Sequence, residues 1–119
     1  MNWRAACSTV PLHAPDLLLV ECASTLWHKT RRQVLDPEGA AALYAHLAIA
    51  PIAFAASGGF ADTAMALALE LDHPAYECLY LAMAQALDLQ LVTADMGLVR
   101  AAGRAPRLAG RAVILADLT

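Results

Sequence analysis

Three acidic residues stand out against their surroundings. Glu21 is the only charged residue between Leu17 and Trp27, Glu77 opens an apolar helical stretch, and Asp95 directly follows Leu91-Val92-Thr93-Ala94. Each has an ordinary explanation. Glutamate is rarely buried unpaired, so Glu21 suits a thin solvent-facing stripe. Glu77 gains from the dipole at a helix start, and Asp95 suits the N-cap of a following helix. Together they allow more. Carboxylates converging from separate elements repel one another unless a divalent cation joins them, and Mg²⁺ and Mn²⁺ prefer such oxygen ligands. An ion so held activates water and stabilises the charge that develops on a phosphodiester during hydrolysis. Asp95 also follows a strand, where ligand sites of α/β folds lie.

The elements that must position these groups can be read along the chain. A first helix is expected from Pro15-Asp16 to about Gln33, with proline in its first turn and Lys29, Arg31 and Arg32 at the end where cations complement the dipole. Asp36-Pro37-Glu38 opens a second helix that runs to about Ala48. A short strand is expected over residues 49–55, confined by Pro51 to an edge or an end. A third helix covers about 61–71, and His73-Pro74 leads into a fourth. There Tyr76, Leu79, Tyr80, Met83 and Leu87 recur at helical spacing and read as a core face. Strands at 89–93 and 112–115 flank a small helix from Met96. Strands alternating with helices late in the chain indicate an α/β fold with helices on the faces of a sheet.

The 119 residues suffice for one domain, and no repeat or low-complexity linker divides them. With 60% hydrophobic and 16% charged residues, a disordered chain is excluded, and the apolar excess points to a partner surface. A net charge of −3 argues against nonspecific nucleic-acid binding, but not against a metal enzyme that meets phosphate through its ion. Cys7, Cys22 and Cys78 form no zinc pattern and read as free thiols of a reduced, cytoplasmic protein. Met1-Asn2-Trp3-Arg4 does not open a signal peptide, and the longest uncharged stretch is interrupted by Pro51, Gly58 and Gly59, which excludes a membrane span. His13, His28, His46 and His73 show no ligand spacing and read as surface or capping residues.

Three segments in series resemble the PIN-domain ribonucleases. Ala14-Pro15-Asp16-Leu17 through Glu21 to Leu26 is similar to that family's segment around its glutamate. Tyr76-Glu77-Cys78-Leu79-Tyr80-Leu81-Ala82 resembles its second acidic motif, and Leu91-Val92-Thr93-Ala94-Asp95 its closing one. The resemblance implies a three-layer α/β/α fold with a mainly parallel sheet, and a Mg²⁺- or Mn²⁺-dependent endoribonuclease of the toxin–antitoxin (VapC-like) type, cytoplasmic and often dimeric. It implies Glu21, Glu77 and Asp95 as metal-binding carboxylates facing one another across a cleft, with Thr93 lining the site. Lys29, Arg31 and Arg32 form a solvated helix end that could touch RNA phosphates.

Two departures bear on activity. The family begins with a strand carrying a further metal-binding aspartate, whereas none of the thirteen residues before Ala14 is acidic. The expected fold is therefore N-terminally shortened, and a start upstream of Met1 is one explanation. The family also has Asp where this chain has Glu77; the extra methylene moves the carboxylate by roughly 1 Å, a shift that can cost about 10²-fold in rate. The alternative is a PIN-like fold that no longer cuts RNA and acts by dimerising or by binding an antitoxin. Either way an apolar chain lacking a strand should assemble. Light scattering at micromolar concentration is expected to give a dimer or larger; a monodisperse monomer would contradict this.

Overall fold

The computed structural model describes residues 11–118. Cys7 and the segment Met1-Asn2-Trp3-Arg4 lie outside them. The described chain is an α/β protein, rich in helix, whose strands are short and pair in parallel. It divides into two compact units, Leu12–Ala55 and the residues from Ala56 on.

In the first unit, β1 (Leu12–Pro15) pairs in parallel with β2 (Ile52–Ala55), with Leu12 opposite Ile52 and Pro15 opposite Ala55. Parallel neighbours need a long crossover. Here α1 (Leu17–Arg31) and α2 (Pro37–Ala48) supply it. The start of α2 follows the sequence reading: Pro37 occupies the first turn, and the Asp36 carboxylate accepts the Gly39 backbone N–H at 2.6 Å. The start of α1 does not. Pro15 is the last residue of β1 and is buried, rather than the first turn of the helix. A proline at the strand's end leaves no interior ladder bond unmade, and the next N–H, that of Asp16, continues the ladder to the Ala55 carbonyl at 2.8 Å. Pro51 falls just before β2, as its missing N–H requires.

The second unit runs through α3 (Ala61–Leu71), α4 (Ala75–Ala86), β3 (Leu91–Thr93), α5 (Met96–Gly103) and β4 (Ala112–Ile114). Strands β3 and β4 pair in parallel, Leu91 opposite Ala112 and Thr93 opposite Ile114. The core is built where α3 packs on α4: Ala64, Leu67 and Leu71 are buried on α3 and Cys78, Leu79, Leu81, Ala82 and Met83 on α4, and Leu98, Ala102, Leu108 and Ile114 are buried beyond them. The stripe expected on α4 is only partly the buried one. Leu79 and Met83 are buried, but Tyr76 and Leu87 are exposed, and Cys78 and Leu81 take the central positions. Small alanines between the large residues let α4 bury more than one narrow stripe, so the aromatic spacing marked its edge. Arg107 forms a two-pronged ion pair with Glu70, and Arg104 donates to the Leu71 carbonyl at 3.1 Å, closing the last turn of α3. Gly110, at φ +78°, makes the turn into β4 in a conformation that side chains resist.

No helix among the described residues is long and apolar enough to cross a membrane. The side chain of Leu81 is wholly enclosed, whereas Leu69, on α3, is largely exposed. In urea denaturation Leu81→Ala is expected to cost about 2–5 kcal/mol, and Leu69→Ala less than about 0.5 kcal/mol. Equal effects would contradict the placement of the core.

Candidate metal centre

The chemistry gathers in the second unit, where α3 turns into α4 beside the carboxyl end of β3. Asp72 caps α3 in the left-handed region at φ 50°, a conformation aspartate tolerates better than most residues. This reverses the chain within one residue, and the His73 N–H closes back on the Ala68 carbonyl at 3.2 Å. Pro74 then starts α4 at once, which sets His73 one helical turn before Glu77. Residues four apart on a helix are neighbours. The His73 Nε2 and Glu77 Oε2 accordingly meet in a short hydrogen-bonded contact.

Asp95 arrives from the other side. Its backbone N–H donates to the Thr93 hydroxyl at 3.0 Å, which fixes the turn leaving β3. Its Oδ1 accepts the Leu98 N–H at 3.2 Å and so caps α5, as the plain reading of the sequence expects. Its Oδ2 lies 3.5 Å from His73 Nε2. The two oxygens of one carboxylate thus divide the work, one holding a helix and one facing the imidazole. Gly97 leaves room for this: a Cβ there would stand 3.1 Å from Asp95 Oδ1 and 3.6 Å from the His73 ring.

One ligand atom each from His73, Glu77 and Asp95 therefore lies within 4.8 Å of the others. The His73 side chain is mostly covered, at 15% exposure, while those of Glu77 and Asp95 are 42% and 36% exposed. A mostly covered imidazole thus sits beside two partly exposed carboxylates. The carboxyl of Asp95 is held below its ordinary value, first by a hydrogen bond with the Glu77 side chain, then by the Leu98 N–H and the charge of His73. Burial raises the pKa of the Cys78 thiol, and Glu77 adds to the effect. Cys78 is therefore a core thiol that points its S–H at the His73 carbonyl, not a thiolate ligand.

Of the residues singled out in the sequence, Glu77 and Asp95 are brought together, and Thr93 supports Asp95 from behind. Glu21 belongs to the first unit, half-buried on α1, where its charge helps raise the pKa of Cys22, secondary to burial. Lys29, Arg31 and Arg32 end α1 on the surface, with the Arg31 guanidinium 5.1 Å from the centroid of the exposed Trp27 ring. His73 was not expected at the site. The available signal was its four-residue spacing to Glu77 across a helix start, which a search for paired histidines overlooks.

No protein-family model matches this chain, and no curated protein sequence matches it. The arrangement of donors in the second unit therefore carries the functional reading.

The depressed pKa of Asp95 fixes the sign of one pH effect. Its contribution to stability is present above the unfolded aspartate value, about 3.9, and is lost as pH falls through the lower folded value. In Asp95→Asn the melting temperature should fall less steeply on acidification than in the parent chain. Asparagine still caps a helix, so an unchanged acid slope would show that the carboxylate makes no such contribution.

Proposed function

We propose that the chain is a PIN-like endoribonuclease of the toxin–antitoxin (VapC-like) type, with a three-layer α/β/α fold, that hydrolyses RNA with a divalent cation, Mg²⁺ or Mn²⁺. The observation carrying this reading is the convergence of Glu77, Asp95 and His73 beside the carboxyl end of a parallel strand. The donor set fits such an ion: two partly exposed carboxylate oxygens and one imidazole nitrogen leave the remaining coordination positions open to water and phosphate. When bound, the cation lowers the pKa of its water and offsets charge on the phosphodiester. The protein's own part is positional. Asp95 presents Oδ2 while Oδ1 is tied to α5, and Thr93 holds the Asp95 backbone in register. Lys29, Arg31 and Arg32 are the candidate phosphate contacts. The resemblance adds Glu21 as a further carboxylate, which Glu21→Gln tests.

A second reading rests on a different observation. Neither α1 nor α2 contains a buried residue, and Ala23, Leu26, Trp27, Pro37, Ala40 and Tyr44 line an open apolar groove of about 390 Å³. Such a face suits a partner chain, a second copy or an antitoxin, and would serve a PIN-like fold that no longer cuts RNA.

RNA cleavage separates the two. With Glu77 where the PIN family has Asp, the 119-residue chain should cut RNA weakly, and Asp95→Asn should abolish what remains. Adding an upstream strand that carries an aspartate should raise cleavage more than Glu77→Asp does, because the latter repairs reach and not ligand number. Efficient cleavage by the 119-residue chain, lost in Asp95→Asn, would show that the further aspartate is dispensable. No cleavage in any variant at saturating Mn²⁺ would favour the binding reading.

A further inference from the structure

The identity of the third donor says which cation the site selects. We propose that His73 is a direct metal ligand, completing a one-histidine, two-carboxylate face with Glu77 and Asp95 that prefers a transition-metal ion such as Mn²⁺ or Co²⁺ over Mg²⁺. The inference rests on the metal-centre reading above and narrows it. Mg²⁺ favours all-oxygen surroundings and gives up water reluctantly, whereas imidazole suits the divalent ions of the first transition row.

Three features place the His73 nitrogen for ligation. Its Nε2 is the atom that meets both carboxylates, touching Glu77 Oε2 and standing 3.5 Å from Asp95 Oδ2. Ligands bound at about 2.1 Å in adjacent positions of an octahedron stand about 3 Å apart. The His73–Asp95 separation needs little change, and the His73–Glu77 contact opens slightly as an ion enters between them. Second, the ring cannot easily turn away. Asp72 and Pro74 fix the backbone on either side of it, and a Cβ added at Gly97 would stand 3.6 Å from His73 Cε1, so the ring lies close to that turn. Third, the far oxygen of Asp95 is held by the Leu98 N–H, which orients the other oxygen, as partners outside the coordination shell commonly do.

Calorimetric titration of the full chain with Mn²⁺, Co²⁺ and Mg²⁺ in turn, together with the visible absorption of bound Co²⁺, tests this. The parent chain should bind Mn²⁺ and Co²⁺ more tightly than Mg²⁺. His73→Gln should weaken Mn²⁺ and Co²⁺ by at least about tenfold, the lower end of what even indirect partners of a metal contribute, change the Co²⁺ spectrum, and leave Mg²⁺ affinity nearly unaltered. His73→Asp, which offers oxygen in place of nitrogen, should shift selectivity back toward Mg²⁺ and guards against a glutamine variant that merely misfolds. If Asp95→Asn abolishes binding while both His73 variants keep the parent spectrum and selectivity, the metal centre stands and ligation by His73 is overturned. If no ion binds the parent chain, the metal-centre reading falls and this inference falls with it.

Discussion

Two carboxylates brought to within a few ångströms of each other need something positive or a shared proton between them. That requirement governs the second unit. Glu77 and Asp95 arrive on different elements, and the imidazole of His73 stands beside both, its Nε2 in contact with Glu77 Oε2 and 3.5 Å from Asp95 Oδ2. Hydrogen bonding within the group and to the α5 N-terminus offsets the repulsion and holds the Asp95 carboxyl below its ordinary value. On the reading proposed above, a divalent cation would replace those hydrogen bonds with coordination to the same atoms.

The rest of the unit works to hold that meeting point. Packing of α3 on α4 through Leu67, Leu71, Cys78 and Leu81 fixes the angle at which the two helices join. The joint itself is only Asp72, His73 and Pro74, short enough that the histidine has little freedom. Arg104 ties the end of α3 from behind, while Arg111 links the turn after α4 to the start of β4 through Asp88 and the Leu89 carbonyl. The pairing of β3 with β4 then delivers Thr93 and Asp95 to the opposite side. A helix–helix joint and a strand end, each rigid for its own reasons, supply a precision that a flexible loop does not.

Much of this was legible in the residues. Asp36-Pro37 announces a helix start because capping and proline geometry are local, and the observed α2 begins there. Pro51 and Pro74 mark boundaries for the same reason. Asp95 showed both its possible roles in sequence, and the cap is now visible at one of its oxygens. What could not be read locally was decided by tertiary packing. Pro15 serves a strand because Ala55 lies opposite it, forty residues away in sequence. Tyr76 shares helical spacing with true core residues yet is exposed, while Cys78, Leu81 and Ala82 on the same helix are buried. His73 looked like a surface residue because its significance depends on Asp95, twenty-two positions later, and nothing in the intervening sequence signals that approach.

The central claim is that His73, Glu77 and Asp95 form a cation site, and crystals grown or soaked with Mn²⁺ address it most directly. The account predicts an anomalous-scattering peak between His73 Nε2, Glu77 Oε2 and Asp95 Oδ2, at roughly 2.1–2.3 Å from each, with water in the remaining positions. Crystals at saturating Mn²⁺ that show no peak there, with the His73–Glu77 hydrogen bond still closed, would contradict it.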